Sequence, residues 1–164
     1  MTFVRSATLA ASLVIVVFAA CGASEPESAT IVNSGSTNFT GYTIQVRSDG
    51  SASAQVSNRG SDAESTPKPF TLDAATAKQF FADLAAARSA KAVAASCMKS
   101  ASFGSTTRVT WHDWTSPDLS CPAGNAAGAA LVHDVQTIEA ASGVSTGPRH
   151  RFGPVVPEPS PAPS

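Results

Sequence analysis

Charge is scarce in this chain and nowhere concentrated. Lys and Arg number 11 and Asp and Glu 12 among 164 residues, a formal net charge of −1. No basic run occurs, which excludes the electrostatic footprint of a nucleic-acid binder. No glycine motif joins a strand to a helix, so there is no phosphate cradle. No serine sits in a Gly-x-Ser-x-Gly elbow. The three cysteines, Cys21, Cys97 and Cys121, lie far apart among scattered histidines, without the close ligand pairs of a zinc site. No metal or cofactor is expected. A membrane-spanning run is lacking too. The apolar stretch from Ala7 to Ala20 would measure about 21 Å as a helix, against a bilayer core of about 30 Å.

What the N-terminus does contain is an export layout. Arg5 precedes the apolar stretch, and Ala19 and Ala20 end it with small side chains. The run Phe18-Ala19-Ala20-Cys21 resembles the lipobox of bacterial lipoproteins, with Phe18 in place of the usual Leu. The resemblance implies cleavage before Cys21, lipidation of Cys21 and a membrane held through that lipid anchor. Gly22 stands where an aspartate would favour inner-membrane retention, which implies the outer membrane if the host has two membranes. The same residues also fit an ordinary secretory signal cut after Ala23.

Cysteine arithmetic follows from that resemblance. If Cys21 carries lipid, Cys97 and Cys121 remain as an even pair in an oxidising compartment, where a disulfide persists. Closing a loop of that size contributes roughly 3–4 kcal/mol in the chain-entropy model. Two free buried thiols are the other reading.

Residues 1–20 are thus read as signal peptide, 21–30 as lipidated cysteine and tether, 31–146 as one domain, and 147–164 as a Pro-rich disordered tail. In the domain, Tyr42, Ile44 and Val46 alternate with Thr43, Gln45 and Arg47, the period of a half-buried strand. A three-residue loop, Ser48-Asp49-Gly50, pairs Val46 with Ala52, Ile44 with Ala54 and Tyr42 with Val56, which keeps one face apolar. Residues 58–68 read as a polar connector. Thr71 or Asp73 can cap a helix that places Ala77, Phe80, Phe81 and Leu84 on one face.

A second hairpin turns Phe103, Thr107, Val109 and Trp111 inward and reverses at His112-Asp113, setting Trp111 opposite Trp114. Pro117 keeps the returning strand short. Residues 124–128 read as a loop. A second helix over 129–141 carries Leu131, Val135 and Ile138 on one face and stops at Gly143. The expected fold is α+β, a small antiparallel sheet in β-β-α-β-β-α order with two helices on one face. The stretches 97–104 and 116–122, with Gly35-Ser36-Thr37-Asn38 and Gly41-Tyr42, resemble small exported bacterial proteins of no assigned activity.

Two His-Asp pairs, His112-Asp113 and His133-Asp134, read as solvated surface, so no catalysis is expected. Trp111, His112, Asp113 and Trp114 put two aromatics and a titratable pair on one reversal, the place for a partner surface if the domain has one. The expected function is a non-catalytic envelope lipoprotein binding an unknown protein or cell-wall component. The alternative is an exported inhibitor of a protease or hydrolase that presents the Trp111–Trp114 turn.

Overall fold

The structure, a computed structural model, describes residues 25–57, 65–91, 93–100, 102 and 104–144. The signal peptide, Cys21, residues 22–24 of the tether, Phe103, residues 58–64 of the connector and the Pro-rich tail lie outside the described residues. The fold is α+β. Its elements are β1 (Ser28–Asn33), β2 (Gly41–Arg47), β3 (Ser51–Ser57), β4 (Lys68–Thr71), α1 (Ala74–Ser89), β5 (Thr107–Trp111), β6 (Trp114–Thr115) and α2 (Ala126–Ser142). The six strands form one antiparallel sheet in the order β4-β3-β2-β1-β5-β6.

The β2–β3 hairpin has the expected register, with Val46 opposite Ala52, Ile44 opposite Ala54 and Tyr42 opposite Val56. Gly50 takes φ +86°, and a Cβ there would meet Leu72 O at 2.7 Å. The turn therefore demands glycine on both conformational and steric grounds. Asp73, not Thr71, caps α1, its side chain accepting from the Thr76 N–H at 2.9 Å. Thr71 instead ends β4.

The strand-helix order departs from expectation in two places. The sheet gains β1, which begins at Ser28 inside the segment read as tether. It lies at the centre, between β2 and β5. Its inward side chains are Ala29, Ile31 and Asn33, too small and too polar to register as apolar alternation. The sheet also gains β4, which begins at Lys68, the last residue of the segment read as connector, and runs to Thr71. Pro69 is tolerated there because β4 is an edge strand. The order is therefore β-β-β-β-α-β-β-α.

Helix α2 starts three residues before its expected first residue. Asn125 caps it, Oδ1 accepting from the Gly128 N–H at 2.8 Å. Gly128 is no loop glycine. A Cβ at that position would stand 1.9 Å from Val93 O, so the helix seats against the connector only because the side chain is missing. Gly143 ends α2 in the left-handed conformation, φ 66°.

Both helices bury their apolar faces on the same side of the sheet. Phe80, Phe81 and Leu84 of α1 and Leu131, Val135 and Ile138 of α2 join Ile31, Ile44, Val46 and Val109 in one core. The opposite face of the sheet carries Thr43, Gln45, Ser53, Gln55 and Thr110 with Arg47 and Arg108.

Cys97 and Cys121 are bonded, with Cα atoms 5.6 Å apart. The bond joins the α1–β5 connector to the β6–α2 connector. Backbone hydrogen bonds run beside it, from Ala95 N to Pro122 O at 2.9 Å and from Gly124 N to Val93 O at 3.0 Å. Replacing both cysteines by serine should cost about 3 kcal/mol, the entropy of opening a loop this size. For a domain of this length that lowers the Tm by roughly 10 °C or more. Thermal unfolding of the double variant beside the oxidised protein checks this; equal midpoints would show that the bond braces nothing.

Candidate functional site

The hairpin reversal is built as expected, with Trp111 turned inward. Trp111 faces Trp114 across β5 and β6. Residues paired in this way share a face, and here it is the core face. Trp111 is 9% exposed, and Trp114 is half-buried against the core. The Trp111 ring meets Phe81 edge-on at 6.4 Å between centroids. Arg88 lies over it, Cζ 5.9 Å from the ring centroid, while its guanidinium pairs with Asp113 at 2.6 Å. His112 takes φ 52°, the positive value that two-residue reversals favour. Its Nε2 stands 3.7 Å from Glu27. The reversal thus offers His112 and Asp113 to solvent and turns both tryptophans toward the core.

The second His-Asp pair is divided between two environments. His133 is exposed on α2, whereas Asp134 is buried and faces Asp83 of α1. Gln79 donates to Asp83 Oδ2 at 2.9 Å. Asp134 Oδ2 is buried without a hydrogen-bond partner. Burial pushes the Asp134 carboxyl up to about 6, with the hydrogen bond and charge of Asp83 adding and His133 opposing.

The most developed polar site lies elsewhere, at one end of the sheet. Tyr42 of β2, Asn33 of β1 and Thr107 of β5 are cross-strand neighbours in one inward row. The Tyr42 hydroxyl donates to Glu139 Oε1 of α2. Asn33 Nδ2 donates to Thr107 Oγ1 at 2.9 Å, and Asn33 Oδ1 accepts from the Gly35 N–H at 2.8 Å. Burial raises the Tyr42 hydroxyl, and the Glu139 carboxylate raises it further. Burial also raises Glu139, against the pull of the Tyr42 hydrogen bond.

Beside this row a clasp closes the disulfide loop. Lys99 Nζ donates to Asp118 Oδ2, to Ser120 Oγ and to the Ser105 carbonyl. Asp118 Oδ1 accepts from the Thr107 N–H at 3.1 Å and from Ser120 Oγ at 2.6 Å. Burial alone would push Asp118 up, but these donors hold it at about 2.

Between row and clasp opens a cleft of about 300 Å³, lined by Asn33, Tyr42, Thr107, Ser120 and Glu139, with Phe39 and Thr40. A second hollow of about 150 Å³, along Leu119, Val132, Val135 and Gln136, shares Thr107, Ser120 and Glu139 in its lining. Among the described residues, no group of three or more His, Cys, Asp or Glu is placed to hold a metal ion.

No family model, curated protein or solved structure matches this chain.

Function must therefore be argued from the geometry alone. Sequence reasoning missed the cleft. Tyr42 reads as one more inward residue of a strand, and Glu139 as one polar residue of a helix. They are 97 positions apart, and no local period links them. Asn33 fell outside every expected element.

Two outcomes follow from these placements. Truncating Trp114 to Ala should cost about 2 kcal/mol, between the values for an exposed and a fully buried ring. Denaturant unfolding measures this; a loss under about 0.5 kcal/mol would show a ring that packs against nothing. The second concerns pH. The fold raises the Asp134 pKa to about 6, so it favours the protonated carboxyl. That stability is complete below the ordinary carboxyl value and is lost as pH rises through about 6. Asp134→Asn should therefore raise stability at pH 8 by about 2 kcal/mol and leave pH 4 nearly unchanged. A variant less stable than the parent at pH 8 would overturn this account.

Proposed function

We propose that this protein is a non-catalytic, lipid-anchored envelope protein whose folded domain is a binding module. The observation that carries the reading is the Cys97–Cys121 disulfide. Such a bond suits an oxidising compartment, and it leaves Cys21 as the odd cysteine. That residue stands directly after an apolar run ending in Ala19-Ala20, the place where lipidation would consume the thiol. The clasp of Lys99, Asp118 and Ser120 supports the non-catalytic part. Its serine hydroxyl donates to Asp118 Oδ1, lies 2.8 Å from the Ser105 carbonyl and accepts from Lys99, which commits it to holding a loop.

The module would face outward from the membrane on a short polar tether. In a host with two membranes, Gly22 after Cys21 favours the outer one. The partner is a protein or a cell-wall component, and the cleft beside Glu139 is the concave surface best equipped to take part of it.

Intact mass of the mature protein tests the anchor. We expect a chain beginning at Cys21 and carrying acyl groups, and a Cys21→Ala variant that leaves the membrane fraction. An unmodified chain beginning at Ser24, or a variant that still sediments with membranes, would overturn the reading.

A further inference from the structure

We propose that the cleft between α2 and the Leu119–Ser120 loop binds a primary ammonium group on a short apolar stem, with Glu139 as its counter-ion. Glu139 lines both the larger and the smaller hollow, so its carboxylate is placed where a guest would meet it. Among the described residues no cation pairs with it. Lys99 borders the same region but is committed to Asp118, Ser120 and the Ser105 carbonyl. A half-buried carboxylate without a counter-ion pays for lost hydration, and a guest cation returns that free energy.

The carboxylate is also fixed in place. Tyr42 donates to Oε1, and the phenol is itself held by hydrogen bonds with Asn33 on the neighbouring β1 and Thr107 on β5. One oxygen is thus occupied and oriented, and Oε2 is left to the guest. An ammonium has three N–H donors to satisfy. The Thr40 hydroxyl in the lining of the larger hollow and the Gln136 amide oxygen in that of the smaller supply acceptors for the others. Leu119 and Val132 give an apolar wall for the stem. A hollow of about 300 Å³ lies at the small end of ligand sites, the size for a side chain rather than a whole polymer unit. A lysine-type side chain of an envelope peptide or protein meets these terms. An amino sugar carries the same charge but no alkyl stem.

The inference rests on the binding-module reading and is independent of the anchor. Membrane fractionation can fail while the cleft binds, and a failed cleft leaves capture of some other envelope component open to the module.

The test is an NMR titration of the intact, oxidised protein with Nα-acetyl-lysine amide. We expect weak, saturable binding, with amide shifts confined to the neighbourhood of Asn33, Thr107, Ser120 and Glu139. The Nε-acetylated analogue should give none of them. Glu139→Gln should weaken binding by about tenfold or more, the factor expected for losing a charge-assisted contact. Because that substitution also touches the Tyr42 contact, a second reading uses the unaltered protein. The Glu139 carboxyl resonance should titrate at lower pH with the amine bound than without it. Glucosamine tests the other source of the charge, and binding at least as tight as that of the lysine amide would overturn the alkyl stem. Equal binding of the acetylated analogue, or an unmoved Glu139 titration at saturating amine, would overturn the site.

Discussion

The bond between Cys97 and Cys121 joins two connectors that neither a helix nor a strand would hold. Between α1 and β5 the described residues from Ala90 to Thr106 form no helix or strand, only a single bridge, Ala94 to Ala123. Loop backbone of this length is costly to order. Here it is ordered from one side by the disulfide and from the other by Lys99, whose ammonium gathers Asp118, Ser120 and the Ser105 carbonyl. Gly104 N closes the turn on Ser100 O at 2.7 Å. The floor and one wall of the cleft come from these same connectors, through Ser105, Leu119 and Ser120. The site depends on the staple rather than on the sheet alone.

A second constraint is the small size of the side chains. Ala29, Ala54, Ala77 and Ala87 all lie in the core region. Such residues bury little area each, so close approach has to replace bulk. Gly128 shows this most directly, since α2 meets the Val93 carbonyl where any Cβ would collide. Aromatic mass is concentrated at one corner, where Phe80, Phe81, Trp111 and the Arg88 stem pack together. That corner explains why the β5–β6 reversal turns its rings inward. Its rings complete the core that the alanines leave thin.

Much of the fold was legible because its signals are local. Tyr42, Ile44 and Val46 gave a register, and Gly50 fixed the loop that sets it. The face of Phe80, Phe81 and Leu84 gave α1, and Gly143 gave the end of α2. The same alternation turned Val109 and Trp111 inward, and a two-residue reversal puts Trp114 on the same face. The central strand was not legible. β1 earns its place through partners from Tyr42 to Arg47 and from Thr107 to Trp111, and its own residues, Ser28-Ala29-Thr30-Ile31-Val32-Asn33, announce little. The cleft was hidden for the same reason. Its row of Tyr42, Asn33 and Thr107 exists only once three strands are aligned, and Glu139 arrives from the last helix.

With charge so scarce, where each charged group goes narrows the mode of recognition. Lys99 and Asp118 are spent on the clasp, Arg88 and Asp113 on the aromatic corner. Asp83 and Asp134 face each other between the helices. The open face of the sheet keeps Arg47 and Arg108 among hydroxyls and amides. Two arginines cannot build the field that steers a large polyanion. Recognition by this domain therefore has to be local, through a few groups already held in position, since prior ordering spares the entropy of binding. Glu139 meets that requirement: its carboxylate is oriented by a buried phenol, half-removed from water, and without a cation of its own among the described residues. Lys99 and Asp118 hold the connectors and Arg88 and Asp113 the corner, while this carboxylate is left facing a cleft.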